Sequence, residues 1–485
     1  MACAGLLNIF TVQSTVITIP AIQESLNIPV SRLQLITSMY SISSGCILLL
    51  CGRLADVHGR KRVFLIGAAC FTASSIAIPF SPNEVCFYAL RALQGFSNAA
   101  TVPSALGILA TLYPPGSRRK WVFVTFSAAS SLGSVVGNLV GGFIGAYLSW
   151  YWVFWIPAGI AGLVGLLAYS IVPPVAPSQL IQPDESSLGA GKHCEFPRSQ
   201  PVDWIGGVTI TASMVLLLFV LSYVNVLWSR SPPAMLGLLP FLAGGFVMWQ
   251  RYLENGTFEW TPLIRTSMFV NADFSVSLIV MACFCGSYNS YLVFASIFYQ
   301  DYLGLDTLQT TLCFIPAGVV GFLGCFALPP ILSLCPSSFR VLVVGVACGI
   351  VSPLLYALPM IPPGASYWAW GFPAMCLCFS VDVVWPVLGL IVSRSVPDAD
   401  QALAGGVLQT ASLVGRAMGL AVAAAVQVGV LEQQQQNPPT SSSPPLLLGD
   451  PQLLHSLRAA QWTNVGLAVL ALLLVLGFFH KLGRV

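Results

Sequence analysis

Charged residues are scarce in this sequence. Asp, Glu, Lys and Arg make up 8% of its 485 residues, whereas soluble domains contain roughly 25%. Hydrophobic residues account for 56%, and the mean hydropathy is +0.82. So few charges cannot cover a globular surface, which excludes an ordinary soluble protein, and they offer no basic face for nucleic acid. The composition predicts a multi-pass protein whose main surroundings are the lipid bilayer.

Residue patterns for enzymatic or metal chemistry are also missing. There is no G-x-x-x-x-G-K-[ST] phosphate loop, no C-x-x-C pair and no Ser/His/Asp set near a predicted membrane interface. The fourteen cysteines are mostly scattered singly through apolar segments and are expected to behave as small hydrophobic residues. We therefore expect no metal, no cofactor and no enzymatic activity. A membrane enzyme or a sensor is the alternative of another class, although the longest polar segment has only about thirty residues.

Long apolar runs are the dominant feature that is present. A hydrocarbon layer of about 30 Å needs about 20 apolar residues per helix, and the sequence contains fourteen such runs. Examples are Ala4–Ile22, expected to be a transmembrane helix and not a cleaved signal peptide, and Tyr367–Ser393. The predicted fold is an all-α membrane protein with fourteen transmembrane helices. An even count places both termini on one side.

Basic residues are distributed unequally between the predicted loops. Fifteen of the twenty Lys and Arg lie in alternate loops, among them Arg118, Arg119 and Lys120, whereas the opposite loops hold only Arg32, Arg230 and Arg458. Loops rich in Lys and Arg face the cytosol. Both termini are therefore predicted to be cytosolic.

Two polar segments, residues 173–203 and 432–461, predict the domain organisation. Both are rich in Pro and Ser, and neither has a helical period. The predicted units are a six-helix bundle over 1–172, a cytosolic linker over 173–203, a two-helix insert with a loop over 204–270, and a second six-helix bundle over 271–485 that contains an extracytosolic loop over 432–461.

The densest group of charges lies between the second and third apolar runs. The pattern G-x-x-x-D-x-x-G-R-K-R predicts a very short cytosolic loop over Gly52–Arg62, and it resembles the signature loop of the major facilitator superfamily. That resemblance implies a cytosolic gate formed by Gly52, Asp56, Gly59, Arg60, Lys61 and Arg62. A loop that only fixes topology is the alternative.

A second motif lies at the start of the fourth predicted helix. Arg91, Gln94 and Asn98 recur at i, i+3 and i+7, which places them on one helix face. R-x-x-Q-G resembles a superfamily motif whose arginine is implied in proton transfer. The alternative is that Arg91 extends its side chain to the nearby membrane interface.

Glycines recur along the fifth predicted helix at a spacing that lets two helices approach closely, at Gly133, Gly137, Gly141, Gly142 and Gly145. The pattern resembles the helix 5 signature of superfamily antiporters, except that Asn138 replaces a proline. The first helix resembles the signature of fourteen-helix drug:proton antiporters, with Gln13 in place of an aspartate. An amide cannot titrate, so a protonation site must lie elsewhere.

Two charges are predicted near the bilayer midplane. Asp382 lies about half-way along the twelfth predicted helix, and Arg416 lies about half-way along the next, on one face with Gln409. We expect Asp382 and Arg416 to form a pair that opens when a proton or substrate binds, because isolated charges at this depth are costly. A purely structural ion pair is the alternative. Asn289, beside Tyr288 and Tyr291, is a candidate for contact with a ligand.

Taken along nearly the whole chain, the sequence resembles the fourteen-helix drug:proton antiporter branch of the major facilitator superfamily, fungal type. The resemblance implies two six-helix bundles around a central cavity, plus two inserted helices. It also implies a monomeric exporter of small amphiphilic molecules, such as drugs or secondary metabolites, driven by protons. A proton symporter or facilitator for a nutrient is the alternative. The expected location is the plasma membrane or, alternatively, the vacuolar membrane.

Overall fold

A computed structural model describes residues 1–29, 32, 34–112, 117–172, 203–227, 244–254, 265–334, 338–358, 366–396, 401–436 and 451–479. Its helices are α1 Ala2–Ile17, α2 Ile19–Leu26, α3 Gln34–His58, α4 Arg60–Ala77, α5 Glu84–Leu112, α6 Ser117–Tyr147, α7 Trp152–Ile171, α8 Trp204–Leu227, α9 244–254, α10 Ala272–Ile297, α11 Thr307–Leu334, α12 Ser338–Ala357, α13 Tyr367–Cys376, α14 Ser380–Arg394, α15 Gln401–Gln436 and α16 Pro451–Phe478. Over these ranges the chain contains no strand.

The all-helical membrane fold is confirmed. Within the ranges above, nine helices are long and apolar enough to cross a membrane, or ten if the bent pair α1 and α2 is one span. The total of fourteen stays a prediction.

One span predicted to be continuous is bent, and a second is continuous but changes helix type along its length. The Ala4–Ile22 span bends by 64° between α1 and α2, next to Pro20, which has no N–H to continue the helical hydrogen bonds. The Tyr367–Ser393 span consists of α13 and α14, joined by a 3₁₀ turn at Leu377–Phe379. Pro373 and Pro386 flank that turn, and each removes one backbone hydrogen bond.

Two predicted loops are shorter than expected. The Gly52–Arg62 segment was predicted to be a loop, but α3 continues to His58 and α4 begins at Arg60. The connection is Gly59, whose φ of 97° a residue with a Cβ adopts only with strain. The 432–461 loop is also shorter, because α15 extends to Gln436 and α16 begins at Pro451. Glutamine is a good helix former, and proline suits a first helical turn.

The helices form two groups with similar internal packing. Helices α1 to α7 pack mainly on one another, and so do α10 to α16. In the first group α6 runs parallel to α1, and in the second α15 runs parallel to α10. The two groups meet where α6 packs on α11 and where α3 packs on α15.

Helix α8 covers the contact between α3 and α15, and Asp203 fixes its beginning. The buried Asp203 carboxylate accepts hydrogen bonds from the Gly206 backbone N–H (2.8 Å), the Trp249 indole N–H (3.1 Å) and the Gln250 amide (2.8 Å). Asp203 thereby ties α8 to α9, the two helices predicted as an insert. Residues 173–202 of the predicted linker lie outside the described part of the chain.

Candidate transport pathway

The interface between the two helix groups contains the candidate pathway. On one side, Val135 of α6 meets Gly318 of α11, and farther along Gly142 abuts Thr311. On the other side, Gly45 of α3 meets Leu413 of α15. Both groups contribute polar side chains to this interface.

Asp382 joins the two groups directly. It lies in the first turn of α14, and its Oδ1 accepts a hydrogen bond of 2.8 Å from the Ser131 hydroxyl of α6. Both side chains are partly exposed. Gly321 of α11 leaves room for the carboxylate, because a Cβ there would lie 2.6 Å from Asp382 Oδ2.

Arg416 lies on the face of α15 between its contacts with α10 and α3. Gly415 and Gly419 pack on Ala282 and Gly286 of α10, whereas Ala417 packs against α3. Arg416 and Gln409 are both partly exposed, while Met418 on the far side of the helix is exposed outward.

The predicted pair between Asp382 and Arg416 is not formed in this conformation. The one ion pair within 4 Å among the described side chains joins Arg32 to Glu84. Asp382 is bound to the opposite helix group through Ser131, and its carboxylate lies beside α6 and α11.

Arg91, Gln94 and Asn98 share one buried face of α5, inside the first helix group. Arg91 Nε donates to the Ile36 carbonyl oxygen (3.1 Å), and a guanidinium nitrogen donates to Gln94 Oε1 (2.6 Å). Asn98 donates to the Ser44 hydroxyl (3.0 Å). Arg91 is fully buried, so its side chain does not extend to the membrane interface.

Aromatic rings complete the surroundings of Arg91. The guanidinium lies 5.0 Å from the ring centroid of Tyr40 and 5.6 Å from that of Phe154. The Tyr40 hydroxyl donates to Asn8 Oδ1 (2.8 Å) on α1. Contacts with π faces stabilise a cation, and Tyr40 links the arginine to α1.

The three candidate ligand contacts on α10 have different surroundings. Asn289 and Tyr288 are partly exposed. Tyr291 is buried, with its hydroxyl 3.8 Å from the Met375 sulfur and its ring against Tyr356. Tyr291 therefore belongs to the aromatic core of the second group.

The basic residues of the predicted gate pack on helix ends of their own group. Arg60 donates to the Gly107 carbonyl oxygen of α5 (2.7 Å). Lys61 donates to the carbonyl oxygens of Tyr169 (2.9 Å) and Val172 (2.5 Å) at the end of α7, where a cation is favoured. Arg62 is exposed, and Gly52 lies within α3. The Asp56 side chain lies outside the described part, so the gate stays a prediction.

The glycines of α6 contact two helices. Gly133, Gly137 and Gly141 face the backbone of α1 at Leu6, Phe10 and Ser14, whereas Gly142 and Gly145 face α11 at Thr311 and Thr307. Gln13 on α1 donates to the Ser134 hydroxyl of α6 (3.0 Å). Close packing is therefore one role of this pattern, both within one group and between the groups.

Sequence reasoning missed Ser131, Gly321 and Tyr40. Ser131 follows Ser130 in an apolar run, which is a weak signal of a polar contact. Gly321 and Tyr40 carry no distinguishing pattern, because their partners come from distant parts of the chain.

Comparison with known proteins agrees with this architecture. The peptide transporter POT in complex with sulfate has a similar fold, with a TM-score of 0.64 and 14% identity over 99% of this chain and 94% of that one. The efflux pump terJ of Aspergillus terreus is 27% identical over 92% of this chain and 80% of that protein. A low affinity ammonium transporter of Saccharomyces cerevisiae is 27% identical over 82% of this chain and 74% of that protein.

The family model of the Major Facilitator Superfamily matches residues 1–420, which confirms the resemblance carried by the sequence motifs. The chain is thus an integral, multi-pass membrane protein that belongs to the Major Facilitator Superfamily of transporters.

Proposed function

We propose that this protein exports small amphiphilic organic molecules, such as drugs or secondary metabolites, by proton-coupled alternating access. Membership of a transporter family supports transport, and the relative named as an efflux pump supports export. The proposal includes cytosolic termini, fourteen helices, a monomeric state and location in the plasma or vacuolar membrane.

The hydrogen bond between Asp382 and Ser131 is the observation that carries proton coupling. It joins a titratable group on one helix group to the other group, at a partly exposed position. Hydrogen bonds to an ionised group are roughly twice as strong as neutral ones. Protonation of Asp382 therefore weakens a contact between the groups, and a proton can change the balance between two arrangements of the transporter.

The buried cluster around Arg91 has a supporting role in this scheme. Its hydrogen bonds join α3, α4 and α5, because Gln94 also donates to the Ser75 hydroxyl (2.7 Å). These bonds hold α3, α4 and α5 together as one body. We propose that Arg91 positions Tyr40 against α1 and that Asp382 is the proton acceptor.

A nutrient symporter or facilitator is the second candidate. The relative named as an ammonium transporter favours it, as do Gln13 and Asn138, which depart from the antiporter signatures. Both candidates use the same interface but differ in the coupling of substrate to protons.

The test is transport by purified protein in liposomes with an imposed pH gradient. Asp382→Asn should abolish uphill movement of an amphiphilic dye yet allow downhill exchange, because substrate binding survives while titration is lost. Asp306→Asn is the matched control, since Asp306 is an exposed carboxylate at the start of α11. The control should keep uphill transport.

Uphill transport by Asp382→Asn at the wild-type rate would contradict the proton-coupling role. Substrate entering together with protons, in the direction of the gradient, would favour the symporter. Since Asp382 and Arg416 are not paired here, adding Arg416→Gln to Asp382→Asn should not restore uphill transport.

A further inference from the structure

We infer that the exported molecule carries an anionic group, such as a carboxylate or sulfonate, and that this group binds Arg416 between the two helix groups. The inference rests on the proposed function and specifies the substrate class that the same interface accepts. It depends on the position of Arg416, on the absence of a carboxylate within 4 Å of it among the described side chains, and on the partly exposed Tyr288 of the adjoining helix.

The position of Arg416 follows from the contacts of its neighbours on α15. Gly415 packs on α10, and Ala417 packs on α3 of the other group. Successive residues are about 100° apart around a helix, so Arg416 points into the angle between α10 and α3. The outward-facing side is marked by the exposed Met418 and Val422. Arg416 is partly exposed although it faces the interior of the molecule, so a ligand between the groups can reach it.

No carboxylate among the described side chains lies within 4 Å of Arg416. Asp382, the nearest candidate in the sequence, is held on the α6 side of the interface by Ser131. An arginine at the centre of the bilayer costs at least about 2.5 to 3.5 kcal/mol on an insertion scale. A bound anion would offset that cost, and the low dielectric of the site would strengthen the attraction.

The neighbours of Arg416 increase its preference for an aromatic anion. Tyr288 lies two residues beyond Gly286 on α10, the helix against which Gly415 and Gly419 pack on either side of Arg416 along the chain. Tyr288 is partly exposed, so its ring offers surface for an apolar or aromatic body attached to the anionic group.

The experiment compares ligands that differ only in charge. Naphthalene-2-sulfonate, naphthalene-2-sulfonamide and naphthyl-2-trimethylammonium are titrated against the purified full-length protein by calorimetry. The sulfonate should bind. Arg416→Gln should weaken its binding by about tenfold or more, because the variant removes the cation that pairs with the sulfonate. A tenfold change in affinity corresponds to about 1.4 kcal/mol. Sulfonamide binding should not change. Arg416→Lys should retain part of the sulfonate affinity, because it keeps the charge but loses the planar fork.

Met418→Leu is the control on the outward face of α15 and should bind all three probes as wild type does. A monodisperse gel-filtration profile checks that each variant folds. The inference is overturned if the sulfonate does not bind, if Arg416→Gln weakens all three probes equally, or if it weakens none. Proton-driven liposomes separate the two claims. If they transport neutral or cationic compounds at a rate that does not depend on Arg416, the inference is contradicted and the proposed function stands. Charge-selective binding of the sulfonate without any transport would contradict the proposed function and leave the anion site at Arg416.

Discussion

At the scale of single residues, three ionisable side chains deep in the helices are stabilised in three different ways. Arg91 is buried among a carbonyl, an amide and two aromatic rings. Asp382 accepts a hydroxyl hydrogen bond from the other helix group. Arg416 lies partly exposed between α10 and α3. The first arrangement is structural, whereas the other two leave a charge available to protons or ligands.

The environment of Asp382 leads to a prediction at Gly321. Gly321→Ala would place a methyl group 2.6 Å from the present position of Asp382 Oδ2, so the carboxylate must shift and its hydrogen bond with Ser131 is strained. We expect proton-driven transport in liposomes to fall markedly, as it does for Asp382→Asn, while the amount of folded protein changes little. Gly324→Ala is the matched control on the same helix, because its methyl group meets only Phe379 at 4.0 Å. Equal activity of the two variants would contradict this account.

At the scale of helices, the contact of α6 with α1 depends on residues without side chains. A Cβ on Gly133 would press on the Leu6 carbonyl oxygen, and those on Gly137 and Gly141 would lie 2.8 Å and 2.9 Å from atoms of Phe10 and Ser14. Backbone atoms cannot rotate away as a side chain can. The pattern therefore keeps two parallel helices in close contact.

Gly133→Ala should accordingly destabilise the protein by about 1–3 kcal/mol, the usual cost of overpacking. The measurement is the midpoint of thermal unfolding in detergent, followed by tryptophan fluorescence. Gly159→Ala on α7 is the control, because no atom lies within 4 Å of its added methyl group, and alanine favours a helix. An unchanged midpoint for Gly133→Ala would show that α1 can shift without cost.

At the scale of the whole molecule, the two helix groups are in contact where α6 ends and α11 begins. A Cβ at Gly145 would lie 3.4 Å from the Thr307 Cβ, close to the separation of about 3.5–4.5 Å found in disulfides. In alternating access this contact must open once per cycle. Gly145→Cys with Thr307→Cys, with the fourteen native cysteines replaced, should form a disulfide that stops transport, and a reductant should restore it.

The control for this cross-link pairs Thr307→Cys with Gly429→Cys, a position on α15 with open space around it, and it should stay uncross-linked. Cross-linking is measured as a change of gel mobility after cleavage of the chain between the two groups. Full transport by the cross-linked protein would mean that these helix ends never separate.

Much of the architecture follows from local chemistry in the chain. Scarce charge and long apolar runs predict an all-helical membrane protein, because both depend on the transfer of side chains and backbone between water and lipid. The motif over Gly52–Arg62 indicates the family, because it lies within one short stretch of the chain. The face shared by Arg91, Gln94 and Asn98 was also predictable, since helical periodicity is local.

The partners of those residues required the folded structure. The sequence predicts Asp382 and Arg416 at comparable depths on neighbouring helices, and therefore a pair, but Asp382 accepts its hydrogen bond from Ser131 and lies against Gly321. Ser131 is 251 residues from Asp382 along the chain. Such contacts depend on how whole helices pack, and packing is settled by the shapes of many side chains together and not by any local pattern.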